Sequence, residues 1–202
     1  MKRNVCVLSG ILLAVMFSGC SRGLSSVEDD ANVPSVAEVY AEAIEYPKLA
    51  EFLTGYYQIP EKYQDETRYY YNYVDLNDDG AEEIFVVVIG EYTEVSFGDP
   101  AVILRKEGEI FSVIDAFEGI HTPVTISDNL TNGWHDIIYQ EYGLGTEYGF
   151  RICRYNPDKR SYQTELSEIL EEMEPVGGTQ ILSNNLIDDM DQGKYLTLAP
   201  EN

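Results

Sequence analysis

The chain has 202 residues, with 13 Lys and Arg against 36 Asp and Glu, a formal net charge of −23 at pH 7. Such an excess repels nucleic acid and anionic lipid headgroups, which excludes a nucleic-acid partner, and it favours cationic partners and metal ions, although a solvated acidic surface needs no partner at all. The three cysteines, Cys6, Cys20 and Cys153, leave no intrachain disulfide for the body, because Cys6 sits in a leader and Cys20 at its boundary.

Residues 1–19 begin with Lys2 and Arg3, run apolar from Val5 to Phe17 with breaks at Ser9 and Gly10, and close on Phe17-Ser18-Gly19 before Cys20. A run this short has no margin to span roughly 30 Å of hydrocarbon, whereas it suits a secretory signal. The Phe17-Ser18-Gly19-Cys20 run resembles the lipobox of bacterial lipoproteins, with Phe where Leu is commoner. That resemblance implies cleavage before Cys20, multiple acylation there, and a membrane anchor in the cell envelope. The uncharged Ser21 is similar to the signals for outer-membrane sorting in hosts with two membranes. Loss of residues 1–19, which contain two bases and no acid, takes the charge from −23 to −25. Residues 20–34 read as the anchor and a small, polar, flexible tether, and residues 35–202 as a single domain.

Ser35-Val36-Ala37-Glu38 has the form of a capping box and predicts a helix, with Val36, Val39, Tyr40 and Ala43 on one face. Pro47 ends that helix or begins a second, in which Leu49, Phe52 and Leu53 repeat the spacing before Gly55. Strands follow at Tyr69–Val74, Ile84–Ile89, Ala101–Leu104 and Ile110–Ile114, the last two joined by a short hairpin at 106–109. A later pair, Phe150–Tyr155 and Tyr162–Leu166, is joined by Asn156-Pro157-Asp158-Lys159, and Cys153 reads there as a buried strand residue. Alternation sends Tyr69, Tyr71 and Tyr73 to one side of their strand and Tyr70 to the other.

A shift of 53 residues aligns Asp75–Phe97 with Asp128–Phe150 without a gap, with identities that include Asp75/Asp128, Gly80/Gly133, Ile84/Ile137 and Gly90/Gly143. This predicts a duplicated strand-loop-strand unit. In the first copy, Asp75, Asn77, Asp79 and Glu83 set oxygen ligands at loop positions 1, 3, 5 and 9, Gly80 permits the sharp turn, and the Ala81 carbonyl fits position 7. That spacing suits calcium, although Val86 stands where an EF-hand needs its bidentate Glu. The same residues also make an Asp-Gly turn with solvated carboxylates. In the second copy Leu130 replaces a ligand, so no metal is expected there.

The loop resembles the calcium loops of integrin-type FG-GAP repeats and their bacterial relatives, which implies ligation by Asp75, Asn77, Asp79 and Glu83. More broadly, Val74–Glu83 together with Asn132-Gly133-Trp134-His135-Asp136-Ile137 is similar to a group of uncharacterised bacterial envelope proteins, which carries no established activity. The fold expected is α+β: N-terminal helices packed on a β-rich domain built from two related antiparallel strand-loop-strand units. Neither His121 nor His135 has partners at metal-ligand or nucleophile spacing, and Trp134 reads as a packing anchor with ligand stacking as the alternative. The function expected is that of a non-catalytic, lipid-anchored envelope module binding a protein or glycan partner, calcium-stabilised at the 75–83 loop. A second reading is an inhibitor or immunity protein against a cationic enzyme such as a lysozyme, and a third a hydrolase using acidic residues.

Overall fold

The computed structural model describes residues 36–143, 148–170 and 176–199, and of 164–170 the backbone only. The expected signal, Cys20, the expected tether and Ser35 therefore lie outside the described residues. Strand makes up 49% of the described residues and helix 14%, so the described part is β-rich, with two sheets that are largely antiparallel.

The elements in chain order are β1 (Val36–Glu38), α1 (Pro47–Tyr56), α2 (Glu61–Gln64), β2 (Arg68–Val74), β3 (Glu83–Ile89), β4 (Asp99–Glu107), β5 (Ile110–Ile120), β6 (Val124–Thr131), β7 (Trp134–Glu141), β8 (Gly149–Asn156), β9 (Ser161–Leu170), β10 (Gly178–Ile181), α3 (Leu186–Gln192) and β11 (Leu196–Thr197). One sheet has the order β1-β10-β6-β7-β8-β9 and the other β11-β2-β3-β4-β5. Each contains a four-stranded meander, β2 to β5 and β6 to β9, and a 53-residue shift carries the span of β3 onto 136–142, most of β7.

The apolar runs of β2, β3 and β4 explain why these strands bury both faces. Tyr70, Phe85, Val87, Ile103 and Phe117 of one sheet join Ile126, Ile137, Tyr139, Cys153 and Ile181 of the other in one cluster, so the sheets face each other across it. Tyr69, Tyr71, Val86 and Leu104 alternate to the opposite face and share a second cluster with Leu49, Leu53 and Ile59. Pro47 opens α1 at its first turn, the second of the two readings its position allows, and supplies the fixed φ that suits that place.

The helix expected from Ser35 to Ala43 does not form. Val36–Glu38 instead pairs in parallel with Gly178–Gln180, and residues 39–46 run on as an extended strap. Long-range partners take the groups that a helix would bond locally: Val39 N–H donates to the Gln180 carbonyl, Ala41 N–H to Asn184 Oδ1 at 2.7 Å, and Glu42 N–H to the Tyr71 carbonyl at 2.8 Å. Tertiary bonding overrides a capping signal whose helix buries too little. Asn72, 1% exposed, clamps the strap: its Nδ2 donates to the Tyr40 carbonyl and its Oδ1 accepts from Leu182 N–H, each at 2.9 Å.

The second copy of the repeat also differs from expectation. Where the repeat predicts a loop over 128–136, β6 continues to Thr131 and turns on Asn132-Gly133 alone, with φ of 55° and 80°. Two positive φ values in a two-residue connection make a type I′ hairpin, and Asn-Gly is the pair that best tolerates it. The extra residues are absorbed by a register shift between Ile126 and Leu130.

Candidate functional site

Two regions gather chemistry. The first is the connection from β2 to β3, residues 75–82, at one end of the sheets. Asp75 Oδ1 accepts the Asn77 and Asp79 amides at 3.3 and 3.2 Å, and its Oδ2 accepts the Gly80 amide at 2.8 Å. Asn77 Oδ1 accepts the Asp79 amide, Asn77 Nδ2 donates to Asp79 Oδ2 at 2.9 Å, and Asp79 Oδ1 accepts the Ala81 amide at 2.8 Å. Asp78 and Gly80 reach φ of 57° and 83° to close the turn. Desolvation works to raise the Asp75 carboxyl, but the amides of Gly80, Asn77 and Asp79 together hold it below the usual carboxylate range.

Glu83 is shared between the loop and β4. It is 1% exposed, its Oε2 accepting the Leu76 amide and its Oε1 the Arg105 guanidinium, each at 3.2 Å. Burial pushes its carboxyl up, opposed by the Leu76 amide and Arg105. The second meander repeats the device, with buried Asp136 of β7 set 3.6 Å from Arg154 Nε of β8. Among the described residues no three His, Cys, Asp or Glu side chains gather as a metal-holding group, and Asn77 and the Ala81 carbonyl lie outside that donor class.

The neighbouring hairpin braces this loop. His135 N–H donates to the Leu76 carbonyl at 2.8 Å, and its ring nitrogens face the Ser127 carbonyl at 2.6 Å and Asp78 Oδ1 at 3.1 Å. Trp134 stacks on Tyr155, with ring centroids 4.4 Å apart, and Arg105 lies 6.0 Å from its ring. Packing thus engages Trp134 and His135 directly.

The second region is a cleft of about 610 Å³ beside the edge of β2. β11 covers that edge only at Arg68 and Tyr69, and the strap takes over at Tyr71, where Glu42 binds. Tyr40, Tyr69, Tyr70 and Tyr195 line the gap, with Glu42, Glu45, Asp189 and Lys194 around them. The strap is held in place by Tyr71 Oη, which donates to the Ile44 carbonyl at 2.9 Å, and by Tyr69 Oη, which accepts the Tyr46 amide at 3.1 Å. Asn184 Nδ2 donates to Asp189 Oδ2 at 2.8 Å and fixes that carboxylate on α3. The helix stops at Gly193, φ 65°, and the reversal delivers Tyr195 to the cleft. The Tyr70 side chain is 4% exposed, yet its hydroxyl has no hydrogen-bond partner among the described residues. Burial, with Asp189 adding, raises that phenol above its ordinary value.

The sequence reading brought together Asp75, Asn77 and Asp79 but not the cleft. The apolar spacing puts Tyr40 on a helix face, whereas the strap is not helical, and α3 is marked in the sequence only by Asn185 as N-cap, accepting from Asp188 N–H, and by Gly193 past its end. No protein-family model, curated protein or solved structure matches this chain.

Proposed function

We propose that this chain is an exported lipoprotein, acylated at Cys20 and held in the cell envelope, at the outer membrane where the host has two membranes. Its residues 35–202 then form one non-catalytic module that binds a protein or glycan partner. On this reading the body is an α+β domain with α1 and α2 as an outer layer, supported by the cluster that Leu49, Leu53 and Ile59 form with residues of β2 to β4. The meanders are two copies of one ancestral unit, supported by the 53-residue self-match and by the equivalent Glu83–Arg105 and Asp136–Arg154 pairs.

The observation that carries the binding reading is the cleft. Its volume falls within the range of about 300–1,000 Å³ that ligand sites occupy, and tyrosines there combine contact area with polar tips. Calcium enters as a structural ion of the 75–83 loop, in the manner of the FG-GAP resemblance. Asp75, Asn77 and Asp79 bring oxygen donors to one turn and the Ala81 carbonyl stands at position 7. Glu83 joins only by giving up Arg105. Trp134 belongs to the brace of that loop.

The test uses the full chain purified in detergent. Retention of one component of a solubilised envelope fraction by the wild type and its loss in Tyr40→Ala/Tyr195→Ala supports the reading; hydrolytic turnover abolished by a single point change overturns it. Calorimetric unfolding with calcium and with chelator, repeated on Asp79→Ala, tests the metal separately. A calcium-dependent rise in melting temperature that Asp79→Ala removes is the expected result, and identical melts reduce the loop to a turn.

A further inference from the structure

The cleft carries a clue to the chemistry of its occupant. A buried phenol normally has a hydrogen-bond partner, since leaving it bare is unfavourable. Tyr70, its hydroxyl buried and without a partner among the described residues, is one of four tyrosines that line the cavity with Glu42, Glu45 and Asp189. Three carboxylates, Glu42, Glu45 and Asp189, face one ammonium there, Lys194, and with Arg68 counted behind Tyr195 the carboxylates remain in excess. Tyrosine faces attract cations through the ring quadrupole, and the fold already uses one in this way, the Arg68 guanidinium lying 5.6 Å from the Tyr195 ring centroid.

We infer that, given the binding-module reading, the cleft takes a lysine or arginine side chain from a basic segment of another polypeptide. The cationic head lies against Asp189 and Glu42 and donates an N–H to the Tyr70 hydroxyl oxygen. The aliphatic stem lies along Tyr40 and Tyr195, the first of which is 63% exposed and so offers an open face. The volume accommodates such a side chain with its flanking backbone, and the chain's charge of −23 steers a basic segment toward it.

The experiment titrates the full chain in detergent with capped tri-lysine, tri-arginine and tri-norleucine peptides and with chitotriose, by calorimetry. Binding of a cationic peptide but not of tri-norleucine is expected, weakening with salt. Tyr70→Phe should lower that affinity by about tenfold, the worth of one hydrogen bond to a charged group, without lowering the melting temperature, because the hydroxyl has no bond to lose among the described residues. Glu42→Gln should weaken binding and reduce its salt dependence. Unchanged affinity in both variants overturns the inference. So does binding of chitotriose alone, lost in Tyr40→Ala, which leaves the binding-module reading standing with a glycan as ligand. Binding of no probe also overturns it, and the module reading is then decided by the envelope-retention assay.

Discussion

Asn72→Ala is the substitution that most directly asks whether the strap is held by the hydrogen bonds described above. Asn72 serves two segments distant in sequence, donating to the Tyr40 carbonyl and accepting from Leu182 N–H. The Leu182 amide is buried, so losing its acceptor costs about 1–3 kcal/mol, while the Tyr40 carbonyl lies where water can replace the amide, at about 0.5–1 kcal/mol. The expected loss is about 1.5–4 kcal/mol, a large part of the ~5–15 kcal/mol that typically separates folded from unfolded. Urea unfolding gives the total, and amide exchange at Ala41 and Glu42 tells whether the strap loosens first. Asn72→Leu restores volume without the bonds and should be about as unstable. Full stability in Asn72→Leu, or unchanged exchange at 41 and 42 in Asn72→Ala, would refute the reasoning, because the residue would then be filling space.

Three further outcomes follow from the same geometry. Leu53→Ala, at a fully buried position of α1, should cost about 2–5 kcal/mol in chemical denaturation; a loss under about 1 kcal/mol would mean the helix contributes little to the fold. Asp99 is pushed up to about 6, by burial first, with His121 opposing, Glu94 adding and Arg68 opposing. An acid whose folded pKa is raised destabilises the fold when ionised, so Asp99→Asn should be more stable than wild type at pH 7 to 8 by about 1 kcal/mol after allowance for partial exposure. That advantage should fade as pH falls through about 6 toward 3.8, and a pH-independent difference would contradict it. Gly178→Ala should lower the melting temperature sharply, because φ is 149° and the new Cβ would lie 2.2 Å from the Ile126 carbonyl oxygen; an unchanged melt would mean that the β10–β6 pairing gives way freely.

What the sequence revealed is what short-range pattern controls. Apolar runs such as Ile84–Ile89 declare buried strands, Pro47 declares a helix start, and the Asp75–Gly80 loop builds its turn from its own side chains. The strap escaped because Val36–Glu38 and its continuation answer to Gly178–Gln180, Asn72 and Asn184, none of which a local window contains. The cleft escaped for the same reason, since Tyr40, Tyr70 and Asp189 meet only once both sheets exist and have no spacing rule to betray them. Glu83 holds a contact that its ninth position in the loop does not announce: its partner Arg105 comes from β4, 22 residues on.

The parallel pairing of Val36 with Gly178 also sets the order in which the protein can be completed. β1 docks on β10, and β10 on β6, so the strand synthesised first waits for residues made near the end. Until then β6 presents an open edge able to recruit another chain, and contacts this distant slow folding. A polypeptide built this way cannot mature vectorially from its N-terminus; it gains from a compartment or helper that keeps the chain apart from its copies until Gly178 arrives.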